Sequence, residues 1–156
     1  MLENLDLKPV RIRQLLDSLC SIMQAELAGT ELMVDVENED LEIMADKVLM
    51  EQVLINLLTK ALTAMSGTDQ PRLELKAHKI ESRVRIQVMD NGTGIPKEKL
   101  PDIFMPFYST KEKASGIGLS FVRQVLRLHN ASIQVQSEPG KGSTFSIQFD
   151  ATSSQS

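Results

Sequence analysis

The chain has 156 residues, of which 42% are hydrophobic and 24% charged, and its formal net charge is −4. This length and composition indicate one globular domain with its own core, and the negative charge argues against a nucleic-acid partner. A single cysteine, Cys20, excludes a disulfide framework, and no apolar run approaches the roughly 20 residues that cross a bilayer. We therefore expect a cytoplasmic domain that makes no membrane contact itself, although the full-length polypeptide could be membrane-attached.

Hydrophobic periodicity in the first part of the chain predicts a mixture of strands and helices. In chain order they are a strand at Leu5–Val10, a helix at Val10–Leu27, strands at Glu31–Glu37 and Leu41–Asp46, and a helix at Asp46–Met65. Gly29 ends the first helix, and the polar run from Asn38 to Asp40 suits a turn between the two strands.

The second part predicts two hairpins that flank a helix. In chain order these elements are strands at Arg72–Ile80 and Arg83–Asp90, a helix at Leu119–His129, and strands at Ser132–Glu138 and Ser143–Phe149. Because strands and helices come in blocks rather than in regular β-α-β alternation, we expect the α+β class. The expected architecture is a two-layer sandwich, with one mixed sheet covered on one face by about three helices. It forms one domain over residues 1–150, and residues 151–156 form a disordered tail.

The helix at Asp46–Met65 is strongly apolar, yet a row of polar side chains runs along it. Gln52, Asn56 and Lys60 are four residues apart, so they share one helical face. A helix that only filled a core would not need an amide followed by a lysine at this spacing.

Short glycine motifs follow the strand that ends at Asp90. Gly92 and Gly94 allow a ligand to approach the backbone closely, and the Asp90 carboxylate can accept hydrogen bonds from an exocyclic amine such as that of adenine. Further along, SGIGLS leads into a helix, whose N-terminus can hold phosphate. Each motif alone is weak, and neither a P-loop nor a Rossmann glycine motif is present.

The order of these motifs resembles the catalytic and ATP-binding domain of bacterial sensor histidine kinases, in a superfamily that also includes gyrase. Five short segments match the family's boxes in sequence. They are NLLTKA (Asn56–Ala61), DNGTG (Asp90–Gly94), FMPF (Phe104–Phe107), GIGL (Gly116–Leu119) and GKGSTF (Gly140–Phe145). The resemblance covers nearly the whole chain and implies the Bergerat ATP-binding fold.

The resemblance also implies an activity, cofactors and partners. Family members bind ATP with Mg²⁺ and transfer the γ-phosphate to a histidine on a dimerisation domain of the same polypeptide, from which a response regulator receives it. Such a transfer depends on positioning and charge neutralisation. The expected ligands of this domain are therefore ATP, ADP and Mg²⁺, and the expected partners are a dimerisation domain and a response regulator.

Carried over residue by residue, the resemblance assigns roles at the site. Asp90 binds the adenine amino group, Ser143 or Thr144 assists directly or through water, and Phe104 and Phe107 anchor a lid over the site. Asn56 and Lys60 occupy the catalytic box, and Asn56 is the candidate ligand for Mg²⁺. The remaining residues expected around the nucleotide are Gly92, Gly94, Ile95, Ser109, Thr110, Lys111, Gly116, Ile117, Gly118 and Leu119.

One departure from the family concerns the Mg²⁺-dependent chemistry. Lys60 stands where the family has a second asparagine that ligates Mg²⁺, and a protonated lysine has no acceptor with which to bind a metal. It could supply positive charge to the phosphates directly, or extend into solvent. The alternative function is therefore a nucleotide-binding or scaffolding pseudokinase that has lost Mg²⁺-dependent transfer. Superfamily ATPases that act on serine would carry a glutamate in place of Asn56, which this chain lacks.

The two histidines match no metal or catalytic motif. His78 lies within a predicted strand, and His129 ends the third helix, where a cationic ring would favour the helix dipole as a cap. Neither resembles a phospho-accepting histidine, so transfer requires a partner domain.

Overall fold

A computed structural model describes residues 4–105 and 118–150 of the chain. Its strands are β1 (Lys8–Arg11), β2 (Glu31–Val36), β3 (Glu42–Ala45), β4 (Arg72–Ile80), β5 (Arg83–Asp90), β6 (Ala131–Glu138) and β7 (Gly142–Asp150). Its α-helices are α1 (Ile12–Ile22), α2 (Gln24–Leu27), α3 (Lys47–Ala64) and α4 (Gly118–Leu128), and a 3₁₀ helix covers Lys97–Asp102.

The main sheet has five strands in the order β2-β4-β5-β7-β6. β2 runs parallel to β4, and the other neighbours are antiparallel, so the sheet is mixed as expected. The predicted hairpins are the pairs β4–β5 and β6–β7. Their registers place Asp90 opposite Ser143 and Ser143 opposite Ser137, so these three residues form a row across the sheet.

Alternation along the strands divides the sheet into an apolar and a polar face. On β5 the side chains of Val84, Ile86 and Val88 are buried, whereas the residues between them are partly exposed. Helices α1, α3 and α4 cover the apolar face, and their buried side chains complete one continuous core. The α+β class and the two-layer arrangement are thus confirmed.

One local prediction was wrong. The predicted helix at Val10–Leu27 is divided at Met23, whose φ of −102° and ψ of 23° interrupt the helix. The strands on either side of the Asn38 turn lie in different sheets. β3 pairs with β1 in a separate two-stranded sheet, with Lys8 opposite Ala45, while β2 is an edge strand of the main sheet.

Candidate nucleotide site

The polar row on α3 consists of Gln52, Asn56 and Lys60, and two other parts of the site contact α3 along this row: the loop after β5 and the N-terminus of α4. Ala64, one step beyond Lys60 in the same row, contacts the loop after β5: its carbonyl accepts a hydrogen bond from Thr93 N at 3.1 Å. At the other end, a Cβ built on Gly118 would lie 2.9 Å from Asn56 Oδ1, so Asn56 meets the N-terminus of α4. Lys60 therefore lies between the β5 loop and the start of α4, about 6 Å along the helix axis from each contact.

Asn56 and Lys60 differ in how their polar atoms are engaged. Asn56 Nδ2 donates to Gln52 O at 3.1 Å, which directs Oδ1 away from its own helix. Lys60 is half-buried, and it forms no ion pair or hydrogen bond with another residue of the described ranges. Its ammonium group is therefore available as a donor on this face of α3.

Asp90 ends β5 at the base of the site. Its Oδ1 accepts a hydrogen bond from Gly92 N at 2.8 Å, and the backbone N–H of Ser143 also donates to the carboxylate. Burial raises the pKa of Asp90, and these two N–H donors offset part of that effect. A half-buried carboxylate held by two backbone donors still has lone pairs for an amine.

The loop after Asp90 packs so closely against its neighbours that side chains are excluded. A Cβ on Gly92 would approach the carbonyl oxygen of Ala64 to 2.5 Å. Gly94 has a φ of +76°, and a Cβ there would overlap the carbonyl oxygen of Glu138. Both glycines are thus needed to seat the loop between α3 and the β6–β7 turn. Their role in a ligand contact remains a prediction.

Ser143 and Thr144 point to opposite faces of the sheet. Ser143 shares the covered face with the buried Phe145 and is itself only 5% exposed. Thr144 is paired with Met89 and Gln136 on the polar face. Ser143 therefore lies on the side of the sheet that faces the helices, whereas Thr144 lies on the other side. The structure favours Ser143 as the residue that assists adenine binding.

Ser137 was missed by sequence reasoning. Its Oγ accepts a hydrogen bond from Ile95 N at 2.7 Å, lies 2.7 Å from Ser143 Oγ, and can donate to Gly142 O at 3.1 Å. A signal was present in the sequence, because Ser137 follows Ile133 and Val135 at every second position on the apolar side of β6. Ile95, predicted to line the pocket, uses its backbone N–H in this bond.

A cleft of about 580 Å³ opens on the other side of the sheet. Its lining combines Glu74, Met89 and Thr144 of the polar face with the row of Asp90, Ser143 and Ser137. The cleft therefore borders the Asp90 end of the candidate site, although none of its lining residues lies on α3 or α4.

The phosphate-facing predictions are only partly covered by the described residues. Gly118 begins α4, and Leu119 is buried with 4% exposure, so only its backbone could face a ligand. The other predicted lid and phosphate contacts lie outside the described ranges: Phe107, Ser109, Thr110, Lys111, Gly116 and Ile117.

Phe104, the first lid residue, packs edge-on against Phe145 with ring centroids 6.5 Å apart. The guanidinium of Arg123 lies 5.7 Å from the centre of the Phe104 ring.

His129 links the far ends of α3 and α4. Its Nδ1 bonds to Val125 O at 2.9 Å, while Nε2 accepts a hydrogen bond from Asp46 N at 3.0 Å. The ring caps its own helix as predicted, but not as a cation, because Nε2 can accept only in the neutral imidazole. Asp46 also caps α3 by accepting from Leu49 N, and hydrogen bonds, first from Asp6 N, lower the pKa of Asp46.

The described residues do not fit a magnesium site of the expected kind. Nowhere in residues 4–105 and 118–150 do three or more His, Cys, Asp or Glu side chains cluster as metal ligands would. Asn56 Oδ1 is one suitable donor, but Lys60 brings a positive charge to the position of the second. Within the same ranges, no helix is long and apolar enough to span a membrane.

Comparisons with known proteins identify the family of this chain. Residues 45–153 match the family described as histidine kinase-, DNA gyrase B- and HSP90-like ATPases. The signal transduction histidine-protein kinase AtoS of Escherichia coli is 34% identical over 81% of this chain and 21% of its own length. Sporulation kinase C of Bacillus subtilis is 37% identical over 71% of this chain and 26% of its own.

Solved structures show the same fold. The catalytic domain of the histidine kinase ThkA superposes with a TM-score of 0.85 and 25% identity, covering 94% of this chain and 97% of that domain. Full-length ShkA in complex with AMPPNP gives a TM-score of 0.84 at 28% identity, covering 94% of this chain and 31% of ShkA. The chain thus belongs to the histidine kinase-, DNA gyrase B- and HSP90-like ATPase family and corresponds to the ATPase domain of sensor histidine kinases.

Proposed function

We propose that this domain binds ATP and ADP between the ends of β5 and β7, the polar row of α3, and the start of α4. The observation that carries the proposal is the position of Lys60. It lies between the contact of Ala64 with the Asp90 loop and the contact of Asn56 with Gly118. A nucleotide with its base at Asp90 and its phosphates at the α4 N-terminus would therefore pass along Lys60.

The two ends of this space suit the two ends of a nucleotide. Two backbone N–H groups orient the Asp90 carboxylate, which leaves lone pairs for the amino group of adenine. At the other end, the N-terminus of α4 carries the positive end of the helix dipole, which favours the negative charge of phosphate. The Lys60 ammonium adds a further donor for phosphate oxygens.

We further propose that the intact polypeptide is a sensor histidine kinase. In this account, the domain delivers the γ-phosphate of ATP to a histidine on a dimerisation domain, and a response regulator receives it. The names of AtoS and sporulation kinase C support the reaction class, and the AMPPNP complex of ShkA supports the nucleotide. On likeness of fold alone, a response regulator is supported by ThkA, which has been crystallised with the response regulator protein TrrA.

The accepting histidine must come from outside this chain. His129 is 8% exposed, with both ring nitrogens engaged, and His78 lies on the polar face of the sheet, opposite the helices. Transfer therefore needs a second domain to bring its histidine to the γ-phosphate. That domain and the response regulator are the proposed partners.

A second candidate function is favoured by Lys60. An ammonium group at this position neutralises phosphate charge without a metal, so the domain can hold a nucleotide while lacking the metal geometry for transfer. Such a pseudokinase module would regulate by nucleotide-dependent docking to its helical partner. The two candidates differ in the metal dependence of binding.

Calorimetric titration tests both levels of the proposal. ADP should bind the domain, and Asp90→Asn should weaken binding by about 10-fold to 100-fold, the value of a hydrogen bond to a charged group. Asp69→Asn, an exposed residue with the same change in charge, is the matched control and should leave affinity unchanged. Failure of ADP to bind the parent domain would refute the proposed function.

The same titration with an ATP analogue, in Mg²⁺ and then in chelator, separates the two candidates. Binding that strengthens more than about tenfold with Mg²⁺ supports the kinase, because other groups must then hold the metal. Binding of equal affinity with and without Mg²⁺ supports the pseudokinase module, which lacks transfer activity.

A further inference from the structure

Three polar side chains form a row across three strands on the covered face of the sheet. Ser137 on β6 is paired with Ser143 on β7, and Ser143 is paired with Asp90 on β5. Ser137 lies outermost, because β6 is an edge strand of the sheet. The row begins at a backbone donor, Ile95 N–H, and ends at the Asp90 carboxylate, the proposed partner of the adenine amino group.

The two serines of this row carry one hydroxyl hydrogen each, so their close contacts cannot all be hydrogen bonds at the same time. A serine hydroxyl has one hydrogen and two lone pairs. Ser137 Oγ uses a lone pair to accept from Ile95 N at 2.7 Å. Its hydrogen can go to Gly142 O at 3.1 Å or to Ser143 Oγ at 2.7 Å, but not fully to both.

The choice made by Ser137 sets the role of Ser143. If Ser137 donates to Gly142 O, Ser143 must donate back to Ser137 and can offer only lone pairs to a ligand. If Ser137 donates to Ser143, the hydrogen of Ser143 is available for a ligand. The base edge of adenine carries a donor, its amino group, beside an acceptor, its ring nitrogen N1. Asp90 can serve only the donor, so the acceptor needs the hydrogen of Ser143, directly or through water.

We propose that Ser137 is a positioning residue that directs the Ser143 hydroxyl, so that Asp90 and Ser143 together recognise the donor–acceptor edge of adenine. This inference rests on the proposed adenine nucleotide site. Ser137 itself does not touch the base. It acts by donating to Ser143 while the Ile95 N–H holds its oxygen in place, which also ties the loop after β5 to the edge strand.

A nucleotide that lacks only N1 isolates this effect. In 1-deaza-ADP a C–H group replaces N1, while the amino group and the phosphates are kept. The parent domain should prefer ADP over 1-deaza-ADP by about threefold to tenfold, the value of one neutral hydrogen bond. Ser143→Ala should bring this ratio close to one, and Ser137→Ala should reduce it to less than half of the parent value.

A merely structural role of Ser137 would give a different result. Lost packing or stability would weaken ADP and 1-deaza-ADP equally and leave their ratio unchanged. Ser137→Thr keeps the hydroxyl and should restore the ratio, whereas Ser137→Cys keeps the size but donates weakly and should behave like alanine. Ser132→Ala, on the polar side of the same strand, is the matched control and should leave the ratio as in the parent.

The outcomes separate this inference from the proposed function. We expect ADP to bind to the parent domain. The preference for ADP over 1-deaza-ADP should fall in Ser137→Ala and Ser137→Cys and should be kept in Ser137→Thr. If Ser137→Ala does not fold, the size-preserving Ser137→Cys decides. ADP binding with an unchanged ratio in these variants, or a parent ratio of one, overturns the role of Ser137 alone. Absence of ADP binding by the parent overturns the nucleotide site and this inference together.

Discussion

Substitution of Gly94 by alanine tests the packing that seats the Asp90 loop. Gly94 has a φ of +76°, in the left-handed region that residues with a Cβ rarely adopt, and a Cβ there would overlap the carbonyl oxygen of Glu138. The left-handed conformation alone costs about 1–2 kcal/mol for alanine. Because the overlapping atom belongs to the backbone, relief of the clash adds about 1–3 kcal/mol. The expected loss of unfolding free energy is therefore about 2–5 kcal/mol.

Two other glycines supply matched controls for this prediction. Gly140 has a φ of +83° but no atom within 4 Å of a built Cβ, so Gly140→Ala should lose only the conformational part, about 1–2 kcal/mol. Gly67 has neither a left-handed φ nor a neighbour within 4 Å, and Gly67→Ala should be neutral or stabilising. The order of stability should be Gly67→Ala, Gly140→Ala, then Gly94→Ala.

Urea denaturation followed by circular dichroism measures these differences, since the chain has no tryptophan to report by fluorescence. ADP affinity should fall in Gly94→Ala as well, because the loop carries Ile95 N–H to Ser137 and borders Asp90. Equal stabilities of Gly94→Ala and Gly140→Ala would refute the close approach of this loop to the β6–β7 turn.

Three further predictions concern single side chains. Lys60→Asn, which provides an amide oxygen, should make the affinity for an ATP analogue more dependent on Mg²⁺ than in the parent; equal dependence would show that Lys60 is remote from the phosphates. Burial raises the pKa of Asp90, so ionised Asp90 destabilises the ligand-free domain. The unfolding free energy of the parent should therefore fall relative to Asp90→Asn as pH rises through that raised pKa, and a parallel pair of pH profiles would contradict this. His129→Ala should destabilise by about 1–3 kcal/mol because it removes a buried ring and leaves the partly buried Asp46 N–H without its acceptor. In the same denaturation assay, His78→Ala, on the polar face, should change stability by less than about 0.5 kcal/mol.

The sequence was most informative where local periodicity decides the structure. The four-residue spacing of Gln52, Asn56 and Lys60 placed these side chains on one face of α3. Alternation could also have resolved Ser143 from Thr144, since Ser143 has the same parity as the buried Phe145. The same parity rule would have brought Ser137 to the covered face.

Contacts between distant parts of the chain could not be predicted in this way. His129 Nε2 accepts from Asp46 N–H, 83 residues away, and no local pattern indicates this partner. The pairing of β1 with β3 is likewise non-local, since it joins the start of the chain to the strand that follows the Asn38 turn. The break at Met23 involves neither glycine nor proline, so the usual signals of a helix end were absent.

The most direct test of the central claim compares ADP with adenosine in three proteins: the parent, Asp90→Asn and Lys60→Ala. If the base lies at Asp90 and the phosphates pass Lys60, Asp90→Asn should weaken both ligands by a similar factor. Lys60→Ala should weaken ADP by about 10-fold to 100-fold and leave adenosine unchanged, as expected for a charge-assisted contact with phosphate. Lys60→Ala with unaltered ADP affinity, or Asp90→Asn with unaltered adenosine affinity, would contradict the proposed placement of the nucleotide.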